Sequence, residues 1–334
     1  MTSPNVTLIV DDQDPTQIQY HCPVTKEIVK GSYFRNTWTT IGSLSCGQQS
    51  GWFSHAFNGT QTRIWASASQ RNQNYSVKID DGPFVVQSGD GYFESPILND
   101  GQHTVTYSAG DASLYPALDY LTVTAGPSTQ LLGRTVIVDD TEIPEFSGQW
   151  TTEPPTPFVL SRPSALYKNT THWTRTVGDT FTFHFNGNSL AVYGVVPNNT
   201  NTANSTAVYI IDGVSTVVSL PPGSSFVQPM TEFFRADLTA GTHTLVFNVT
   251  EVAPSHVFGV DFVLYNSSVD TSPKGSTVQS STAASSHSKK HTRTIVGAVI
   301  GAVAGVVLIG VLLFLYKKSR SRKSKWDVVT KGNQ

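Results

Sequence analysis

The sequence predicts an all-β fold: two tandem antiparallel β-sandwich domains of jelly-roll type, followed by one transmembrane α-helix. Three observations carry this. Five sequence blocks recur in one order. Apolar residues alternate with a period of two between turn-forming residues. One long uncharged run stands apart from the rest.

The repeat comes first in the chain. Ile9-Val10-Asp11-Asp12 recurs as Ile137-Val138-Asp139-Asp140, and Phe53–Gly59 as Phe181–Gly187, both at a spacing of 128. Val77–Gly82 matches Tyr209–Gly213, Leu98-x-x-Gly101-x-His103-Thr104 matches Leu238-x-x-Gly241-x-His243-Thr244, and Leu118-Asp119-Tyr120 matches Val260-Asp261-Phe262. A period this long means two domains rather than a solenoid. Domain one is expected over 5–125, a linker over 126–132 and domain two over 133–266.

Within a repeat the pattern is that of strands. Phe181, Phe183 and Phe185 share one face, and Thr180, Thr182 and His184 the other. Asn58-Gly59 and Asn186-Gly187 follow and predict hairpin turns, because Asn-Gly tolerates positive φ. Outside the uncharged run no helical period is evident. Charged residues are only 14% of the 334, too few for a helical bundle, while 38% apolar and 10% aromatic residues can fill real cores.

After the repeats, residues 267–294 are expected to form a Ser/Thr-rich stalk; 12 of the 22 residues from 267 to 288 are Ser or Thr. Ile295–Tyr316 is a run of 22 uncharged residues, long enough to cross a bilayer as a helix. Gly297, Gly301 and Gly305 would permit a homodimer through that helix. The tail, 317–334, is basic, and its charge excess predicts a cytoplasmic C-terminus with the N-terminal side outside, at the plasma membrane or a secretory-pathway membrane. Met1–Asp12 lacks the charged and apolar regions of a signal peptide, so an upstream segment absent from this sequence is expected.

An exported reading fits two further features. Sequons begin at Asn5, Asn58, Asn74, Asn169, Asn198, Asn204, Asn248 and Asn266 and predict a glycoprotein. The two cysteines, Cys22 and Cys46, predict one disulfide. Residues 1–288 hold 12 basic and 23 acidic groups, a balance that excludes nucleic acid as a partner.

The Val-Asp-Asp start, the Asn-Gly before a strand, the central Ile-Asp-Gly, the Leu-x-x-Gly-x-His-Thr block and the closing Asp-[Tyr/Phe] strand resemble those of fungal, mushroom-type single-pass membrane proteins with tandem galactose-binding-like β-sandwich ectodomains. That resemblance implies the fold, shared with many carbohydrate-binding modules, and implies no catalytic residues.

Candidate chemistry is sparse. Asp11, Asp12, Asp139 and Asp140 offer clustered oxygens that suit Ca²⁺; the plainer reading is that they serve a turn of the fold, and no other cofactor is expected. His103 and His243 follow a glycine turn and read as turn-stabilising. Glu142, Glu145 and Glu153 could supply a glycosidase pair but sit in one Pro-rich loop, and no Gly-x-Ser-x-Gly is present, so no enzyme is expected. Tyr33, Trp38, Trp150 and Trp173 are the candidates for stacking on a sugar; for any one of them core packing is the plainer reading. The function expected is a membrane-anchored surface protein binding an extracellular or cell-wall glycan. The alternatives are a wall-stress or ligand sensor signalling through the basic tail and, last, a glycan-active surface enzyme.

Overall fold

The computed structural model describes residues 6–22, 24–28, 31–41, 52–67, 73–108, 117–154, 166–198, 204–254 and 256–270. Nineteen strands occupy them. In repeat one these are β1 (Thr7–Asp11), β2 (Ile18–Tyr20), β3 (Val24–Ile28), β4 (Thr37–Ile41), β5 (Phe53–Gly59), β6 (Gln61–Ser67), β7 (Gln73–Ile79), β8 (Val85–Gly89), β9 (Phe93–Glu94), β10 (Gly101–Ser108) and β11 (Ala117–Thr124). In repeat two they are β12 (Thr135–Asp139), β13 (Glu145–Ser147), β14 (His172–Thr174), β15 (Thr180–Val196), β16 (Thr206–Ile211), β17 (Val214–Ser219), β18 (Gln228–Glu251) and β19 (Phe258–Ser267).

All pairings between strands are antiparallel. One sheet of repeat one runs β2-β5-β10-β7-β8; the other, built on β1, β11, β4, β3 and β6, continues through β12 into repeat two. Between the sheets of repeat one sit Phe53, Phe57, Tyr107, Leu121 and Trp52. The matching core of repeat two holds Phe181, Phe183, Phe185, Leu245 and Phe247. The alternation seen in the sequence therefore points its rings inward, as a two-layer arrangement requires.

The Asn-Gly dipeptides are not hairpins. β5 pairs with β2 and β10, whereas β6 pairs with β11 and β9. In repeat two the same stretch is the single strand β15, with a register shift between Gly187 and Ser189. The chain turns a corner here and passes from one layer to the other. Glycine is needed for contact rather than for a turn: a Cβ on Gly59 would lie 2.5 Å from the Thr124 carbonyl oxygen, and one on Gly187 2.5 Å from that of Asn266.

The two repeats are joined by their first strands. β1 pairs with β12 through Leu8↔Val136 and Thr7↔Ile137. Leu8 and Val136 are equivalent residues of the two repeats, so an approximate two-fold axis passes between them. A third cluster, with Ile9, Phe34, Trp65, Ile137, Tyr167, Tyr193 and Phe262, is built from both repeats. The expected linker takes part: Leu131 is buried in the core of repeat one, and Thr129 is buried as well.

The expectation of sandwiches plus a transmembrane helix is corrected to an all-β fold. Among the described residues no helix is long and apolar enough to cross a membrane. The run 295–316, its Gly297, Gly301 and Gly305, the tail and all of the stalk beyond 270 lie outside those residues. The single-pass anchor, the outside-to-inside topology, the plasma-membrane or secretory-membrane location, embedding in a bilayer and a helix-mediated homodimer therefore have no described element to carry them. Cys22 packs against the core of repeat one. Cys46 and Asn5, and with Cys46 the expected Cys22–Cys46 bridge, lie outside the described residues.

Candidate functional site

Each repeat builds the same anchored turn at the end of its first strand. In repeat one, Asp12 accepts bonds from the Thr37 hydroxyl at 2.7 Å and the Thr39 hydroxyl at 2.5 Å, while Asp119 accepts from the Phe34 N–H at 2.7 Å. In repeat two, Asp140 accepts from Thr170 at 2.6 Å and faces His172 Nδ1 at 2.5 Å, and Asp261 accepts from the Tyr167 N–H at 3.3 Å. These bonds hold two consecutive residues in the left-handed region: Arg35 and Asn36 at φ 50° and 61°, Lys168 and Asn169 at φ 48° and 60°. Such backbone persists only where its surroundings over-determine it.

The anchoring carboxyls are fully buried. Burial pushes Asp12 up to about 7 and Asp11 and Asp139 up to about 6, and it raises Asp261 well above the usual range. The four aspartates offered for Ca²⁺ thus lie at the two turns, where Asp12, Asp139 and Asp140 bond to threonine hydroxyls. Among the described residues no group of three or more His, Cys, Asp or Glu side chains is placed to hold a metal ion.

Each turn delivers an aromatic ring to the other repeat. Phe34 lies 5.7 Å from Tyr193, and Tyr167 lies 5.9 Å from Trp65. Trp65 also stacks on Tyr120 at 4.7 Å and meets Tyr92 edge-on at 5.4 Å. Beside these rings opens a cleft of about 400 Å³. Arg63, Trp65, Asp90, Tyr92 and Glu94 of repeat one form one wall, and Leu166–Asn169 of repeat two the other. Most of its charged groups are held by partners. Glu94 accepts from Arg63 at 2.9 Å, from Gln61 at 2.9 Å and from the Tyr92 hydroxyl at 3.0 Å. Burial, reinforced by Glu94, pushes the Tyr92 phenol up to about 12, so it stays a proton donor. Lys168 is paired with Glu142 at 2.7 Å.

The residues picked from the sequence lie elsewhere. Tyr33 and Trp38 form a ring pair at 4.7 Å, with Trp38 Nε1 donating to Glu27. Trp150 packs on Phe146 and Phe181 and donates to the Thr180 carbonyl. Trp173 is buried over Gly259. Of the sequon asparagines, Asn58, Asn74, Asn169, Asn198 and Asn204 are exposed, whereas Asn248 and Asn266 are half-buried. His103 bonds Asp80 and the Asn99 carbonyl, and His243 bonds Asp212 and the Thr239 carbonyl. Sequence reasoning missed Arg63, Trp65, Tyr92 and Tyr167. A sixth repeated block, Phe34-Arg35-Asn36-Thr37 and Tyr167-Lys168-Asn169-Thr170, was the available signal.

No family model matches the chain, and no curated protein matches it. The resemblance to fungal single-pass membrane proteins is therefore corrected: neither that family nor a fungal origin finds support. Among solved structures, the chain is similar to a family two carbohydrate esterase from Cellvibrio japonicus (20% identity, 36% of this chain and 34% of that one, TM-score 0.28). It is also similar to CBM35 from Cellvibrio japonicus Abf62 (14% identity, 39% and 91%, TM-score 0.29). A third is the CBM36-1 domain of a multidomain xylanase from the hindgut metagenome of Trinervitermes trinervoides (15% identity, 39% and 94%, TM-score 0.28). The chain spans about a third of the esterase. Similarity at this level carries no argument about what this chain does.

Proposed function

We propose that the protein binds carbohydrate in the cleft between its repeats, without turning it over. The carrying observation is the conjunction of the half-buried Tyr92 ring, backed by the buried Trp65, with Arg63, Glu94 and Asn169 around one opening of about 400 Å³. Aromatic surface suits the apolar face of a pyranose, and fixed donors and acceptors suit its hydroxyls. The volume accommodates one or two sugar units. Binding is favoured over catalysis because Glu94 is committed to three donors, which opposes its acting as a general acid.

Titration of the full chain against a panel of neutral and acidic oligosaccharides tests this. Saturable binding is expected, weakened about tenfold or more by Tyr92→Ala, which removes ring contact and a hydroxyl. Absence of binding across the panel, or binding indifferent to Tyr92→Ala and Arg63→Ala, overturns the reading.

A further inference from the structure

The two-fold relation gives the first cleft a counterpart, and its chemistry differs. Arg63 pairs with Glu94 across β6 and β9; the equivalent pair across β15 and β18 is Ala191 and Arg235. Lys168 of the 167–169 turn corresponds to Arg35 of the 34–36 turn. The acid of the first cleft has become a base, and the guanidinium has become a methyl group. A cavity of about 270 Å³ lies there, lined by Arg35, Arg134 and Arg235 with Asp14 and Gln17.

The three guanidinium groups are unevenly matched by carboxylates. Arg235 holds Glu232. Arg35 has Asp11 at 3.9 Å. Arg134 bonds the neutral Gln17 side chain. Asp14, the carboxylate of this lining, is occupied by the Thr16 hydroxyl, the Thr16 N–H and the Gln17 amide. Burial lowers the affinity of Arg134 for its proton and Asp14 opposes that, so the half-buried cation gains from any anion brought beside it. A guanidinium fork suits carboxylate, sulfate and phosphate alike.

We propose that this second cleft is an oxyanion site, formed by Arg35, Arg134 and Arg235, that takes the acidic group of a carboxylated or sulfated sugar or a free tetrahedral anion. It does not require the first cleft to bind anything.

The test is calorimetric titration of the full chain with sodium glucuronate, sodium sulfate and inorganic phosphate, with glucose as the uncharged control. Glucuronate or the tetrahedral anions are expected to bind, glucose not to bind at this site, and added NaCl to weaken the binding. Arg134→Gln and Arg235→Gln should each weaken it about tenfold or more, as loss of a charge-assisted bond does. Ser189→Glu keeps all three arginines and adds a carboxylate to the lining, so it should abolish binding even if Arg134→Gln perturbs the fold. Tyr92→Ala should leave it unchanged, which separates this site from the first. Glucuronate binding with sulfate competing identifies a sugar acid; sulfate or phosphate alone identifies a free anion. No binding by any of the three, or binding that survives both Arg134→Gln and Ser189→Glu, overturns the proposal.

Discussion

Repeat one closes its turn with Thr37 and Thr39 on Asp12, whereas repeat two closes the matching turn with Thr170 and His172 on Asp140. The buried aspartate and the left-handed residue pair are common to both; the donors and the cleft linings are not. The shared part holds the aromatic ring that crosses to the other repeat. The divergent part faces the openings, where Glu94 and Arg63 in one stand against Arg235 and Ala191 in the other. The duplication thus retained its joint and varied its two mouths.

Removing the joint should have the largest effect. Asp12→Ala removes the carboxyl that accepts from the Thr37 and Thr39 hydroxyls beside the strained turn, and Asp140→Ala removes the nearer of the Thr170 acceptors and the partner of His172. Each is expected to cost about 3 kcal/mol, the upper end of the range for stripping a partner from a buried polar group. Because β1 pairs with β12 and the third core draws on both repeats, denaturant unfolding of either variant should remain one transition at lower midpoint. Two separated transitions, or a loss confined to one repeat in hydrogen exchange, would show that the repeats are stabilised independently.

A middle-sized effect sharpens the comparison at a second place. Trp173 lies beside Gly259, and the equivalent positions in repeat one are Thr40 and Ala117, as the pairings Leu118↔Thr39 and Val260↔His172 align them. A Cβ on Gly259 would sit 2.4 Å from the Trp173 ring. Gly259→Ala should therefore cost about 1–3 kcal/mol through overpacking. Combined with Trp173→Thr, the pair taken from repeat one, it should cost less than the sum of the two single changes. Additive urea midpoints would mean that the ring and the glycine were not fitted to each other.

Much of this was legible in the sequence, and the limits are instructive. Alternation of Phe181, Phe183 and Phe185 announced a buried strand face, and the recurrence of Asp11-Asp12 as Asp139-Asp140 announced a shared structural role. Gly59 and Gly187 were misread because the local cue, Asn-Gly, is the same for a hairpin and for a corner. What decides is the carbonyl of Thr124 or Asn266, more than 60 residues away in either repeat. The first cleft was hidden for a similar reason. Trp65 and Tyr92 come from one repeat and Tyr167 from the other, and no spacing within a repeat reports a junction between repeats. The tryptophans chosen from loop-like stretches, Trp150 and Trp173, instead fill space beside and beneath those loops.

The smallest effect, per unit of pH, separates the carboxyls at the joint from His103 and His243. Asp11, Asp12 and Asp139 hold a proton more tightly folded than unfolded, because burial raises them from 3.8 to about 6, 7 and 6. Their contribution is complete below the ordinary carboxyl range and declines as pH rises through 4 to 7, by up to about 1.4 kcal/mol per pH unit for each group in its window. His103 and His243 act in the same direction at higher pH. Each has both ring nitrogens facing acceptors, a carboxylate and a carbonyl, which only the imidazolium can satisfy with two N–H bonds. The bond to Asp80 or Asp212 and then the carbonyl raise their pKa, so that stabilisation is lost as pH climbs past the ordinary histidine range. Buried His55, lowered to about 4 by burial, opposes this below the ordinary histidine range, but the three carboxyls and two histidines outweigh it, so stability is expected to be greater near about pH 5 than near about pH 8. Asp12→Asn should flatten the lower part of the slope, and His103→Gln with His243→Gln the upper part, in urea unfolding measured across that range. Proton NMR of the two histidines gives the sharper reading: Asp80→Asn should lower the pKa of His103 and leave that of His243 in place, because each clasp is closed within its own repeat. A stability that rises from pH 5 to 8 in the parent chain and still rises after His55→Gln would mean that the carboxyls at the joint are ionised when folded, and the two turns would then be held by charge rather than by shared protons.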